Sequence, residues 1–96
     1  MNILLIGNTG FIGQSLYGYL DRRHPSGITG VSTKEVDLTE PKSHVTLARY
    51  MTPATVVIMC AGVKKQRGDT LDTFEANSAI TGHFCRAVEI SRPSKV

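Results

Sequence analysis

The 96-residue chain lacks the compositional features that identify specialised classes of protein. It has no tryptophan and no low-complexity tract, and its composition, 41% hydrophobic and 20% charged, is ordinary for one globular domain. Its two cysteines, Cys60 and Cys85, have neither a metal-ligand spacing nor a Cys-x-x-Cys spacing. Because both lie in apolar contexts, we expect reduced thiols in the core rather than a disulfide framework or a metal site.

Long apolar runs and clustered charge are also missing. No window is long enough to span a membrane, and the apolar run at residues 3–6 is too short for a signal peptide. The net charge is +3 and the pI about 9.1, but only residues 64–67, KKQR, form a basic cluster. A cluster of that length does not indicate nucleic acid. We therefore expect a cytoplasmic protein with neither a nucleic acid nor a membrane as partner.

The chain alternates between strand-like and helix-like patterns. Strands are predicted at residues 2–6, 28–32, 36–38 and 54–62, and helices from residue 11 to about 23, at 41–50 and at 70–90. Thr39 is the predicted N-cap of the second helix. Strands separated by helical segments imply βαβ units and a parallel sheet, and no repeat or linker divides the chain.

Gly7, Gly10 and Gly13 lie between the first strand and the first helix, in the stretch ILLIGNTGFIG. A helix N-terminus offers unpaired N–H groups and a positive dipole end, which attract phosphate. Gly7 would permit a sharp turn, Gly10 the approach of a pyrophosphate, and Gly13 close packing of helix on strand. The spacing is neither G-x-G-x-x-G nor a P-loop. A purely structural turn remains the alternative.

The stretch ILLIGNTGFIGQSL resembles the opening of the NAD-dependent epimerase/dehydratase family, the extended short-chain dehydrogenase/reductases. Three later stretches resemble segments of that family in the same order: VDLTE, VVIMCAG and FEANSAITG. The resemblance covers essentially the whole chain. It implies an α/β fold, an incomplete Rossmann-type doubly wound parallel sheet of about four strands with flanking helices, and an NAD(P) cofactor.

The resemblance also implies a set of cofactor-binding residues. The backbone from Thr9 to Ile12 would hold the diphosphate, Asp37 would accept from the adenine amino group, and the Leu38 N–H would meet the ring. The end of the fourth strand would complete the site. The full set is Gly7, Thr9, Gly10, Phe11, Ile12, Gly13, Ser32, Thr33, Lys34, Asp37, Leu38, Ala61, Gly62 and Val63. A solvated turn aspartate and a strand-ending Gly62 are the structural alternatives.

The end of the second strand bears on which dinucleotide binds. An acidic side chain there would bind the ribose 2′-OH of NAD, whereas basic or small polar residues accommodate the 2′-phosphate of NADP. Ser32, Thr33 and Lys34 occupy the expected positions, so the sequence favours NADP over NAD. A shift of one or two residues in the strand would bring Glu35 to this position and reverse the preference.

The family's catalytic Tyr-x-x-x-Lys pair is not matched. Tyr17, Tyr19 and Tyr50 are followed four positions later by aspartate, arginine and alanine, so no catalytic residue is predicted. Residues 1–96 resemble the N-terminal part of a longer protein, ending before a fifth strand. The expected function is the NAD(P)-binding segment of an epimerase, dehydratase or reductase acting on a nucleotide sugar or similar hydroxy/keto substrate. The alternative is a non-catalytic NAD(P)-binding sensor or scaffold module.

Two further expectations concern packing. An exposed edge on the fourth strand would make the isolated chain marginally stable as a monomer or lead it to form a homodimer. Asn77 shares a helix face with Ile80, Thr81 and Phe84, which favours a structural amide over a proton relay. The basic residues after the predicted fourth strand, Lys64, Lys65 and Arg67, could contact a sugar-nucleotide diphosphate, although a solvated loop is the simpler account.

Overall fold

A computed structural model describes residues 2–61 and 71–96 as a three-stranded parallel sheet flanked by helices. The elements are β1 (Asn2–Ile6), α1 (Phe11–Arg23), β2 (Ile28–Val31), α2 (Ser43–Ala48), β3 (Thr55–Met59) and α3 (Leu71–Ser91). The strand order is β2-β1-β3, and β1 pairs in parallel with both neighbours. This arrangement confirms the α/β class and the incomplete Rossmann-type sheet.

Strand β1 forms the centre of the core because both of its faces are covered. Leu4 and Ile6 belong to an apolar cluster that includes residues of α2 and α3. Ile3 and Leu5 point to the opposite face and pack with residues of α1. Successive side chains of a strand alternate between faces, so a continuous aliphatic run is what a strand between two helical layers requires.

Residues 36–38 do not form a strand, so the prediction of about four strands is wrong for the described part of the chain, which has three. Val36 and Leu38 are buried against the α3 side of the core, as alternating strand residues would be. Their backbone, however, follows a turn in which the Glu35 and Val36 N–H groups both donate to the Ser32 carbonyl. The alternation of apolar residues at 36–38 therefore predicted their burial correctly, but it was wrong in predicting a strand.

Helix boundaries differ from the predicted ones near α2. Thr39 is not its N-cap: that position is Lys42, with a left-handed φ of 65° and no side-chain cap. The predicted helix at residues 41–50 is shortened to Ser43–Ala48 because turns occupy both flanks.

Helices α1 and α3 each bury only part of their apolar residues. In α1, Leu16, Tyr17 and Leu20 pack on the sheet, whereas Ile12 and Tyr19 are exposed. Cys85 is exposed on α3, so the expectation of two core thiols holds only for the half-buried Cys60.

The outer edge of β3 is partly paired within the chain. The Ser94 N–H donates to the Thr55 carbonyl at 2.9 Å, and the Val57 N–H donates to the Lys95 carbonyl at 2.9 Å. Lys95 thereby forms a parallel bridge with Val56. Strand β3 is shorter than the predicted residues 54–62, although the Cys60 N–H still donates to the Ile6 carbonyl at 2.8 Å.

Among the described residues, no helix has the length and apolar character needed to cross a membrane.

Candidate cofactor-binding site

The segments that follow the three strands meet at one edge of the sheet, as the carboxyl ends of parallel strands must. The Gly7 N–H donates to the Val31 carbonyl at the end of β2, at 2.7 Å. On the other side, the backbone at Cys60 and Ala61, after β3, lies directly against Gly7. The three strand ends are therefore in contact through the turn at residues 7–10, which we call the glycine turn.

Two glycines of the motif are required by packing. Gly7 has a φ of 89°, and a Cβ built there would lie 2.7 Å from the Ala61 nitrogen and 2.8 Å from the Cys60 carbonyl carbon. At Gly13, a Cβ would overlap the Gly7 carbonyl oxygen. The structure thus confirms the expected geometry: Gly7 makes the turn, and Gly13 lets α1 pack onto it.

Gly10 is different, because nothing in residues 2–61 and 71–96 requires it to lack a side chain. Its φ of −71° suits any residue, and among those residues a Cβ there would meet only the Gly7 carbonyl oxygen, at an ordinary 3.6 Å. Gly10 is the N-cap of α1, and no side chain caps the helix. The first N–H groups of a helix have no intrahelical partner, so the missing Cβ leaves them open to an external acceptor.

The surroundings of this helix end suit an anion. The first turn of α1 contains no acidic residue that would oppose one. Thr9 is exposed, as are Phe11 and Ile12, with exposed fractions of 80% and 70%. A diphosphate could therefore approach the N–H groups without displacing any side chain that the structure describes, and these residues fit a dinucleotide.

Asn8 is a site residue that the sequence reasoning missed. Its side chain lies over Gly30, where a Cβ would come within 3.0 Å of the Asn8 Cβ and closer still to its amide. Its Oδ1 atom is buried and accepts no hydrogen bond from the described residues. The available signal was Gly30 itself, since a glycine inside a strand often marks a close approach by another group.

The Glu35 side chain folds back onto Ser32, directly after the end of β2. Its carboxylate accepts from the Ser32 N–H at 3.0 Å and from the Ser32 hydroxyl at 3.3 Å. The same hydroxyl accepts from the Lys34 N–H at 3.2 Å. Ser32 is buried, whereas Thr33, Lys34 and Glu35 are exposed. An acidic side chain thus contacts the strand end, from the position directly after the three residues that the sequence reasoning placed there.

Asp37 is held by Thr39. Its Oδ1 accepts from the Thr39 hydroxyl at 2.6 Å and from the Thr39 N–H at 3.0 Å. These two hydrogen bonds, the hydroxyl first, hold the pKa of the Asp37 carboxyl below its usual range, because they stabilise the charged form. No described residue donates to Oδ2, so this oxygen retains its capacity to accept from a ligand.

His83 also reaches this segment, and nothing in the sequence pointed to it. Its Nδ1 lies 2.6 Å from the Leu38 carbonyl oxygen. Because a carbonyl only accepts, Nδ1 carries the proton. The His83 ring stacks on His44, with the centroids 6.2 Å apart. A contact between residues 45 positions apart has no signature in local spacing.

Other predicted residues fall outside these contacts. Gly62 and Val63, and the basic residues Lys64, Lys65 and Arg67, lie outside the described residues. Asn77 is half-buried on α3, and Thr81, expected on the buried face of that helix, is exposed. Within residues 2–61 and 71–96, no group of three or more His, Cys, Asp or Glu residues is placed to hold a metal ion.

The fold and the glycine turn define a nucleotide-binding α/β domain of the Rossmann type. Comparison with family models identifies it further: residues 3–96 match the NAD dependent epimerase/dehydratase family, and the chain belongs to that family. A nicotinamide dinucleotide is accordingly its cofactor class. Neither the curated proteins nor the solved structures that were searched contain a match.

Proposed function

We propose that this chain is the dinucleotide-binding part of an epimerase, dehydratase or reductase that acts on a nucleotide sugar or a similar hydroxy/keto compound. The diphosphate binds at the N-terminus of α1, and the adenine lies beside Asp37 and Leu38. The observation that carries the proposal is Gly10: packing within the described part of the chain does not require its missing side chain, which leaves the helix N–H groups accessible.

The substrate class is a separate part of the proposal. It rests on the family and on the basic residues Lys64, Lys65 and Arg67, whose charge suits a sugar-nucleotide diphosphate. None of the tyrosines of the chain has a lysine four positions later. We therefore expect these 96 residues to bind a dinucleotide without transferring hydride on their own. A cytoplasmic location and a homodimer remain predictions.

We further propose that NAD is preferred to NADP. The sequence favours NADP because Lys34 could pair with a 2′-phosphate. What supports the opposite preference is the Glu35 carboxylate on Ser32, which would repel a phosphate and could accept from a ribose hydroxyl.

The experiment that tests the dinucleotide site is Gly10→Ala, with Gly18→Ala as the matched control. Gly18 lies within α1, and a Cβ there meets nothing within 4 Å. We expect Gly10→Ala to weaken NADH binding at least about tenfold, or about 1.4 kcal/mol, since the methyl group covers the helix N–H groups. Calorimetric titration provides the dissociation constants, and thermal melting shows whether each variant is folded.

Gly18→Ala should bind NADH as the wild type does. Equal NADH affinity for wild type and a folded Gly10→Ala would reject the site, and a wild-type chain that binds no NADH would reject the function.

Cofactor choice is tested by Glu35→Gln. Glutamine keeps an oxygen that can accept from the Ser32 N–H and removes the charge. The wild type should bind NADH more tightly than NADPH. In Glu35→Gln, the dissociation constants for the two dinucleotides should be closer to each other. A wild type that prefers NADPH would restore the NADP assignment.

A further inference from the structure

The Leu38–Thr39 peptide group is held from both of its ends. Its carbonyl oxygen, on Leu38, accepts from His83 Nδ1, and its N–H, on Thr39, donates to Asp37 Oδ1 at 3.0 Å. A peptide group is planar, so its C=O and N–H move as one rigid unit. Fixing the carbonyl therefore fixes the direction in which the N–H points.

The rest of the segment restricts the same unit. The Leu38 side chain is buried in the core cluster, and the Glu40 N–H donates to the Asp37 carbonyl at 3.0 Å. No described backbone carbonyl accepts from the Leu38 N–H, which leaves that donor for a ligand. Besides the apolar packing of Val36 and Leu38 against α3, His83 gives this segment a hydrogen bond from that helix, whose neighbouring Phe84 is buried.

We propose that His83 is a positioning residue for adenine recognition: through the Leu38–Thr39 peptide group it orients the Asp37 carboxylate. The proposal rests on the proposed function, in which Asp37 and Leu38 contact the adenine. His83 does not touch the nucleotide. Without its N–H, the Leu38 carbonyl has no partner on α3, the peptide group can rotate, and the Thr39 N–H no longer holds Asp37 Oδ1 in one direction.

The test compares His83→Asn with His83→Leu. The two side chains have nearly the same size, but only asparagine can donate an N–H to the Leu38 carbonyl. His83→Phe is a second variant without a donor, and it keeps a ring against His44 should the leucine variant fail to fold. The probes are ADP, which has an adenine and a diphosphate, and inorganic pyrophosphate, which has no adenine.

We expect His83→Leu and His83→Phe to weaken ADP binding about threefold to tenfold, the range that corresponds to one hydrogen bond. Pyrophosphate binding, measured by NMR titration, should not change, because the glycine turn does not involve His83. His83→Asn should bind ADP nearly as the wild type does. In an Asp37→Ala background, His83→Leu should cause no further loss of ADP affinity, since the carboxylate through which it acts is gone.

Other results reject the inference. One such result is unchanged ADP affinity in folded His83→Leu and His83→Phe. Another is an equal loss of affinity for ADP and for pyrophosphate. A third is a loss of ADP affinity from His83→Leu that adds fully to the loss from Asp37→Ala. Such results leave the proposed function standing as long as the wild type binds both probes. A wild type that binds neither rejects the proposed function, and this inference with it.

Discussion

Two segments at the same edge of the sheet are ordered in opposite ways. The glycine turn after β1 takes its shape from missing side chains: Gly7 and Gly13 allow backbone to lie against backbone. The segment after β2, residues 32–39, takes its shape from side chains that are present: Glu35 on Ser32, Asp37 on Thr39, and His83 on Leu38.

The difference has a physical consequence for each segment. Backbone held against backbone has almost no room to adjust, so a single methyl group disturbs it. A segment held by side-chain hydrogen bonds that are part-buried or exposed loses about 0.5–1.5 kcal/mol with each of them, and its backbone can adjust between them. We therefore expect a substitution in the glycine turn to change the free energy of unfolding by more than a substitution in residues 32–39 does.

The largest effect is expected from Gly7→Ala. The new Cβ would meet the Ala61 and Cys60 backbone at a φ of 89°. The left-handed backbone costs about 1–2 kcal/mol and the overlap about 1–3 kcal/mol, so the free energy of unfolding should fall by about 2–5 kcal/mol. Urea denaturation measures it. Gly18 lies within α1, and a Cβ there meets nothing within 4 Å, so Gly18→Ala should leave the free energy of unfolding unchanged or raise it by up to about 1 kcal/mol. Equal stability for the two variants would remove the contrast between the segments.

An intermediate effect is expected from Glu35→Ala. The Ser32 N–H and hydroxyl would lose their acceptor, which should lower the free energy of unfolding by about 0.5–1.5 kcal/mol. Lys34→Ala is the control, because the neighbouring lysine is equally exposed and its backbone N–H bond to Ser32 is retained. Chemical denaturation at neutral pH compares them. A loss as large as that of Gly7→Ala would show that the second segment is as rigid as the first.

The smallest effect is the pH dependence contributed by Asp37. Its pKa is lower in the folded chain than in the unfolded chain because the Thr39 hydroxyl and N–H stabilise the carboxylate. This stabilisation is fully present above the unfolded value of about 4 and is lost as the pH falls through the lowered folded value. The stability difference between wild type and Asp37→Asn should therefore shrink on acidification, as measured by denaturation at several pH values. A stability difference between the two proteins that grows as the pH falls would contradict this prediction.

The first segment could be predicted from the sequence, and the second could not. The run at residues 3–6 and the glycine spacing specified a buried strand, a turn and a helix, because each depends on local composition. Residues 36–38 show the limit: their apolar alternation predicted burial correctly, yet whether a buried segment pairs as a strand depends on a neighbour that lies elsewhere in the chain.

The candidate site divides in the same way. Gly7, Gly10 and Gly13 were identified from spacing, but spacing could not distinguish the two that packing requires from the one that it does not. That distinction needs the positions of the Ala61 and Gly7 backbone atoms. Sequence reasoning left Glu35 as an alternative at the end of β2, and the structure brings it there because the chain turns after Ser32.

By itself, the sequence determined the α/β class, the central strand and the position of the glycine turn, since each follows from short-range periodicity and from where glycine occurs. Only the tertiary structure decided that residues 36–38 do not form a strand, that a Cβ at Gly10 would make no close contact with the described residues, and that His83 holds the Leu38 carbonyl. These features depend on contacts between parts of the chain that are distant in sequence, and such contacts exist only once the sheet and its helices have packed.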